Sequence, residues 1–155
     1  MTTEIEYFVR EESHAIATWR DVVVIASRLD SPLAAAASMR KASTQLRRRY
    51  PQGFGHLTIV EPGCKSPSAE ARTEAARVVT EFSDVLKGTA IVFLGSGLRG
   101  AFVRAVVASL MALSRSPTPH QVCESVSEGA FWLAGKLPGL DGRGLASAAE
   151  LVRKV

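Results

Sequence analysis

Residues 95–100 read GSGLRG, and they place three glycines in the spacing G-x-G-x-x-G. An apolar segment precedes these glycines and a helical pattern follows them, which is the order found in dinucleotide-binding folds. In such folds the glycines permit a tight turn and a close approach of a pyrophosphate to a helix N-terminus. Gly95, Gly97 and Gly100 are therefore candidates for a nucleotide- or anion-binding turn, and Arg99 would supply a positive charge beside it.

In a dinucleotide site, an acidic residue after the next strand holds the ribose. Glu124 lies 24 residues after Gly100, near the expected spacing of about 20 residues. The motif nevertheless follows about four predicted strands instead of the first one, and a single predicted strand comes after it. This position favours a second interpretation, in which Gly95 and Gly97 form a strand-to-helix turn and Gly100 lets the helix approach the sheet.

The other reactive side chains do not form a recognisable catalytic set. The histidines His14, His56 and His120 are scattered, and their spacing indicates neither a Ser-His-Asp order nor a Cys-His pair. Cys64 and Cys123 lack the C-x-x-C spacing of a metal or redox site, and two such cysteines fit a reducing cytosol. We therefore expect no enzymatic activity, no metal and no cofactor.

A basic cluster lies in residues 31–50, which contain no acidic residue. Such a cluster could contact the phosphates of a nucleic acid. No aromatic residues alternate with these cations, however, and residues 47–49 fall in the last turn of a predicted helix, where cations favour the helix dipole. The pattern thus favours a solvated helix end and makes a nucleic-acid partner an unfavoured hypothesis. The basic residues are Arg40, Lys41, Arg47, Arg48 and Arg49.

Predicted strands and helices alternate along most of the chain. Apolar and β-branched segments predict strands at residues 5–11, 14–19, 21–27, 55–63, 89–95 and 120–126. Helical periodicity predicts helices at residues 31–50, 66–88, 101–115, 127–137 and 144–155. Ser-Pro pairs at positions 31–32 and 66–67 indicate helix starts, and Lys87 with Gly88 indicates the end of the second helix. We therefore predict an α/β fold with a mixed, mostly parallel central sheet of 4–6 strands flanked by helices.

The bulk composition fits one globular domain. The chain has 155 residues, of which 46% are hydrophobic and 22% charged, and its net charge is +4. We expect a single domain over residues 1–155, with a core at about 14–137 and a C-terminal helical extension over 143–155. The N-terminal segment MTTEIEYFVREE is unlike a signal peptide, and the apolar run 101–113 is too short to span a bilayer. The expected location is therefore cytoplasmic, without a membrane partner.

The order of the predicted elements resembles that of STAS domains, the anti-sigma-factor-antagonist superfamily. The segment DVVVIASRLDSPLAAAASMRKA resembles the family's early strand and first helix. The segment from GTAIVFLG to FWLAGKL resembles its closing βαβα unit, and HQVCESVSEGAFWL resembles its strand followed by an EAxxWL ending. The resemblance covers residues 14–137 and implies a non-enzymatic regulatory module that binds a protein partner, such as a regulator or a kinase.

Members of this family are switched by phosphorylation of a Ser or Thr where the helix after the third strand begins. The matching segment here is PGCKSPSAEAR, so the resemblance makes Ser66 and Ser68 candidate phospho-acceptors. The family's Asp-Ser-Ser-Gly signature is absent from this segment, and either serine is also explained as a helix cap. A phosphate at a helix N-terminus would be electrostatically favourable.

The predicted helix over residues 101–113 is apolar on almost every side. A helix that covers an open sheet needs one apolar face, so the excess can meet a C-terminal helix or another subunit. Val107, Leu110 and Met111 are the candidate interface residues of a homodimer. We therefore predict a cytosolic interaction module that resembles STAS domains, and the alternative is a small nucleotide- or anion-binding domain that uses the GSGLRG turn.

Overall fold

The computed structural model describes residues 4–95 and 117–155 of the chain. The strands in these ranges are β1 (Glu6–Arg10), β2 (His14–Trp19), β3 (Val22–Ser27), β4 (Phe54–Val60), β5 (Leu86–Phe93) and β6 (His120–Cys123). The helices in the same ranges are α1 (Ala35–Arg49), α2 (Ala69–Glu81), α3 (Val126–Ala134) and α4 (Gly142–Lys154). None of these helices combines the length and hydropathy needed to cross a membrane.

The six strands form one sheet in the sequential order β1-β2-β3-β4-β5-β6. The first three strands are antiparallel neighbours, and β3, β4, β5 and β6 run parallel to one another. A two-residue turn at Arg20 and Asp21 joins β2 to β3, with Arg20 at a φ of 51°. Parallel neighbours need a crossover, which α1 and α2 provide. The predicted α/β fold with a mixed, mostly parallel sheet flanked by helices is therefore confirmed.

Two apolar clusters cover the two faces of the sheet. On β3, Val23 and Ile25 pack in the cluster with α1 and α2, whereas Val22 and Val24 pack in the cluster with α3 and α4. This burial on both faces explains the unbroken β-branched run of β3. Helix α4 belongs to the core, because its apolar side chains pack in the same cluster as Val22 and Val24. The α4 residues are Leu145, Ala149 and Val152.

The predicted start of α1 at Ser31 and Pro32 is wrong. The helix begins at Ala35, and its N-cap Ala34 makes no side-chain cap hydrogen bond. The Ser31 hydroxyl instead donates to the Ser27 hydroxyl at 3.2 Å, which holds the preceding loop against the end of β3. The Ser-Pro signal thus marks a loop here instead of a helix cap.

The predicted end of α2 at Lys87 and Gly88 is also wrong. Helix α2 ends at Glu81, and both predicted end residues lie in β5. Gly88 pairs with Gly55 in the parallel β4–β5 ladder. The apolar residues Phe82, Val85 and Leu86 continue the helical spacing, but Phe82 and Val85 belong to a turn and Leu86 pairs with Phe54 in the parallel ladder. Tertiary pairing therefore overrides the local helical pattern at this point.

Candidate functional site

A cavity of about 180 Å³ lies between α1, α2 and the sheet. Its floor is formed by β3, β4 and β5, and the loops that follow β3 and β4 line its outer end. Lys65 and Ser66 belong to this outer lining and are exposed to solvent. The cavity is therefore at the carboxyl ends of parallel strands, which is where ligands bind in open α/β sheets.

Strand alternation determines which side chains form the floor. His56 of β4 is the register partner of Thr89 of β5, and Thr58 is the partner of Ile91 two pairs closer to the outer end, on the same face of the sheet. At about 3.3 Å per residue, the floor from Thr89 to Phe93 is about 13 Å long. His56 and Thr89 thus form the inner end of the cavity, and the loops form its outer end.

His56 is a buried, neutral imidazole at the inner end. Its side chain is 1% exposed, and its Nε2 lies 2.9 Å from the hydroxyl oxygen of Ser43 on α1. Burial lowers the pKa of His56 to about 4, so the ring carries no charge at neutral pH. A serine and a histidine at this distance could form a nucleophile–base pair. Ser43 has no exposed surface, however, so the hydrogen bond orients the ring and offers no nucleophile to a substrate.

Thr89 brings a hydroxyl without a hydrogen bond to the inner end. The residue is 4% exposed, and its Oγ1 is a buried atom with no hydrogen-bond partner in the described part of the chain. A buried polar group without a partner costs about 1–3 kcal/mol, so such groups are rare in folded proteins. This hydroxyl is the feature of the cavity that simple packing does not explain.

Of the two candidate phosphorylation sites, Ser66 lines the outer end of the cavity and Ser68 begins the neighbouring helix. Ser68 is the N-cap of α2, and its side chain accepts a hydrogen bond from the Ala71 amide at 3.1 Å. Ser66 precedes the helix and lines the cavity, and both serines are exposed. The cap interpretation therefore holds for Ser68 and fails for Ser66, which lies outside the helix start. Phosphorylation of either serine stays a prediction.

Of the GSGLRG motif, the first residue, Gly95, lies within the described ranges. Gly95 follows β5 with a φ of +132°, a conformation that favours glycine and fits a tight turn. Glu124 follows β6, so the two residues lie at the carboxyl edge of neighbouring parallel strands. The exposed Glu124 donates its amide to the Glu128 carboxylate at 3.1 Å. The residues that lie outside the described ranges are Gly97, Arg99, Gly100, Val107, Leu110 and Met111.

The basic cluster on α1 is largely paired with carboxylates. The guanidinium of Arg40 lies 2.7 Å from Glu81, and that of Arg47 lies 2.5 Å from Asp84. Arg49 approaches Glu6 at 3.5 Å. These pairs offset the positive charge that a phosphate backbone would require.

Sequence reasoning did not single out the pair at the inner end of the cavity. The spacing of His56 indicates no catalytic pair, and Thr89 is simply the first residue of a predicted apolar strand. The available signal was the alternation itself, because both residues are polar positions inside strands that are mostly apolar. Such positions are buried wherever a helix covers their face of the sheet.

Comparison with solved structures finds an uncharacterized protein from Shewanella loihica PV-4, of the DUF3478 family, which has a SpoIIAA-like fold. The two chains share 13% sequence identity over 84% of this chain and 92% of the other, with a TM-score of 0.42. This similarity assigns no function. The chain matches no family model and no curated protein at a significant level.

Proposed function

We propose that this chain is a STAS-like regulatory domain that binds a protein partner and has no catalytic activity of its own. The proposed contact is the carboxyl-edge surface, which we define as Leu29, Leu33, Lys65, Ser66 and Ser68. These residues belong to the loops that follow β3 and β4. The leucines would contact the partner protein, and phosphorylation of the serines would regulate that contact.

Two exposed leucines beside the exposed serine-containing loop are the observation that carries this proposal. Leu29 is 50% exposed and Leu33 is 43% exposed. The Lys65 amide donates to the Leu29 carbonyl at 3.0 Å, so the two loops are joined into one surface. Exposed apolar residues rimmed by polar ones are typical of protein-binding sites.

The charges of this surface suit control by phosphorylation. Lys65 is adjacent to Ser66, and Arg72 extends from the first turn of α2 to the Pro67 carbonyl at 3.5 Å. A phosphate on Ser66 would therefore meet cationic side chains and the N-terminus of α2. The added charge would alter the affinity of a partner that contacts the neighbouring leucines.

Site-specific photo-crosslinking tests the proposed surface. A benzoylphenylalanine at position 33 should crosslink to a partner in cells of the source organism, and the adduct is identified by mass spectrometry. The same probe at Leu151 is the matched control, because that leucine is 58% exposed on α4, at the other face of the sheet. Ser66→Asp should change the yield from position 33 severalfold. Equal yields from positions 33 and 151, or no adduct from either, would refute the proposal.

A second candidate function is nucleotide or anion binding at the GSGLRG turn. The observation that favours it is the placement of Gly95 and Glu124 on neighbouring parallel strands at one edge. NAD, ATP or phosphate at 100 times its dissociation constant should then stabilise the chain by about 2.7 kcal/mol. Gly97→Val should abolish this stabilisation, and the absence of any thermal shift with wild type would exclude the candidate.

A further inference from the structure

We propose that the cavity between α1, α2 and the sheet binds a small, uncharged and mostly apolar molecule whose one hydrogen-bonding group meets Thr89. This inference goes beyond the proposed partner binding, because it assigns the domain a small-molecule ligand. It rests on the size of the cavity, on its apolar walls, and on the polar group at its inner end.

The size of the cavity suits a small organic molecule. Its volume of about 180 Å³ is comparable to the ~150 Å³ of an engineered apolar cavity that binds benzene. Protein interiors contain few voids larger than a water molecule, so a space of this size is unusual for a core. Its walls include Ile25, Met39, Val79 and Ile91, which would contact an apolar ligand.

The Thr89 hydroxyl determines where the polar group of the ligand lies. Its oxygen is buried and has no partner in the described residues, although a hydroxyl both donates and accepts hydrogen bonds. A hydroxyl or carbonyl on the ligand would supply the missing bond. The apolar part of the ligand would then extend along the floor toward Phe93 and the outer end.

The charges around the cavity favour an uncharged group at this depth. His56, the register neighbour of Thr89, is fully buried and bonded to Ser43, so no charged side chain faces Thr89 from β4. An ionised group there would lose its hydration without an opposite charge. The cationic lining residues Lys65 and Arg72 belong to the outer loop and to α2. A carboxylate would therefore be attracted to the outer end and would leave Thr89 unpaired.

The outer end of the cavity and the carboxyl-edge surface share a loop. Ser66 and Pro67 line the cavity, and Ser66 is also part of the proposed partner surface. A ligand that fills the cavity would contact this loop from below. Ligand binding would thus act on the segment that we propose to be phosphorylated.

Isothermal titration with 1-octanol and octanoate tests the site in the full chain at pH 7. Wild type should bind 1-octanol more tightly than octanoate. Thr89→Val keeps the shape of the side chain and should weaken octanol binding about tenfold, the effect of one lost hydrogen bond. Thr118→Val is the matched control, because the buried Thr118 hydroxyl donates to the Leu86 carbonyl and does not line the cavity, and it should keep the affinity within about twofold. Ala75→Phe should fill the cavity and abolish binding, with an unchanged circular dichroism spectrum.

Three results would overturn the proposal. The first is equal weakening by Thr89→Val and Thr118→Val, which would remove the special role of Thr89. The second is tighter binding of octanoate than of octanol, which would place the polar group at the cationic outer end. The third is no heat from either molecule up to its solubility limit with folded wild-type protein.

Discussion

The two faces of the sheet differ in how closely the helices pack against the strands. On the α3/α4 face, glycines let helix and sheet come into direct contact. A Cβ on Gly129 would lie 2.7 Å from Val92 Cγ2, and one on Gly55 would lie 2.8 Å from Leu133 Cδ1. These distances leave no space for a single added carbon. We therefore call this face closed, because it has no free volume at these contacts, and its close packing stabilises the fold.

The α1/α2 face retains space and buried polar groups. It contains the cavity of about 180 Å³, the Ser43–His56 hydrogen bond and the unpaired Thr89 hydroxyl. The cavity and the unpaired hydroxyl cost stability relative to a closed apolar face. On our proposal, the chain separates two tasks, with stability on one face and binding on the other.

The largest expected effect is the loss of a core side chain from the closed face. Leu133 is fully buried and packs against Gly55 and Gly88. Leu133→Ala should lower the free energy of unfolding by about 2–5 kcal/mol, because the rigid surroundings leave a cavity. Urea denaturation measures this change. The exposed Leu151→Ala should stay within about 0.5 kcal/mol, and an equal loss in both variants would contradict the packing described.

The pH dependence of stability should report the buried imidazole of the open face. Burial lowers the pKa of His56 to about 4, from an ordinary value of 6.5 in the unfolded chain. Between these values the unfolded state binds one more proton, so stability falls as the pH drops from 6.5 toward about 4. At about 1.4 kcal/mol per pH unit, the loss from this one residue is about 3 kcal/mol.

The variant His56→Gln isolates this contribution from that of the carboxylates. It should have a lower stability at pH 7 and a flatter profile between pH 6.5 and 4 than wild type, measured by urea denaturation at each pH. Parallel profiles in the two proteins would show that His56 is not held neutral in the folded state.

A pair of helix substitutions compares the space on the two faces directly. Gly129→Ala on α3 should destabilise the chain by about 1–3 kcal/mol, because the new methyl group meets Val92. Ala75→Leu on α2 adds more atoms, but they enter the cavity, so we expect no loss of stability. Thermal unfolding of both variants measures the difference. A larger loss for Ala75→Leu would contradict the open-face assignment.

The smallest expected effect concerns two buried threonines. Thr89→Val removes an unpaired hydroxyl and should raise the stability of the ligand-free chain by about 1 kcal/mol. Thr118→Val is the matched control, because the Thr118 hydroxyl donates to the Leu86 carbonyl at 3.2 Å, and its loss should cost about 1 kcal/mol. Changes of the same sign in both variants would indicate that Thr89 has a partner in solution.

Much of the fold could be predicted from local patterns. The strands were found because alternation or unbroken β-branched runs mark them, as in β2 and β3. The helix boundaries predicted at Ser31, Ser66 and Lys87 were wrong, because these residues carry local helix signals, whereas the helices begin at Ala35 and Ala69 and Lys87 pairs within β5. Local signals report the preference of a segment for helix or strand, whereas the positions of the helix ends depend on tertiary contacts.

The cavity could not be predicted, because it depends on what three elements leave unfilled. Its helical walls include Ala36, Ala71 and Ala75, which in sequence are ordinary helix-forming residues. Their small size leaves space only where α1 and α2 cover the same floor. No spacing rule detects such space, and Thr89 acquires its significance only from the missing partner around it.

Methyl NMR of the full chain during a titration with 1-octanol tests the central claim most directly. The open face is represented by the methyl groups of Ile25, Val79 and Ile91, and the closed face by those of Leu57 and Leu133. We predict saturable shifts at the first set and none at the second. Shifts of equal size on both faces, or no shifts on either, would contradict the separation of stability and binding between the two faces of the sheet.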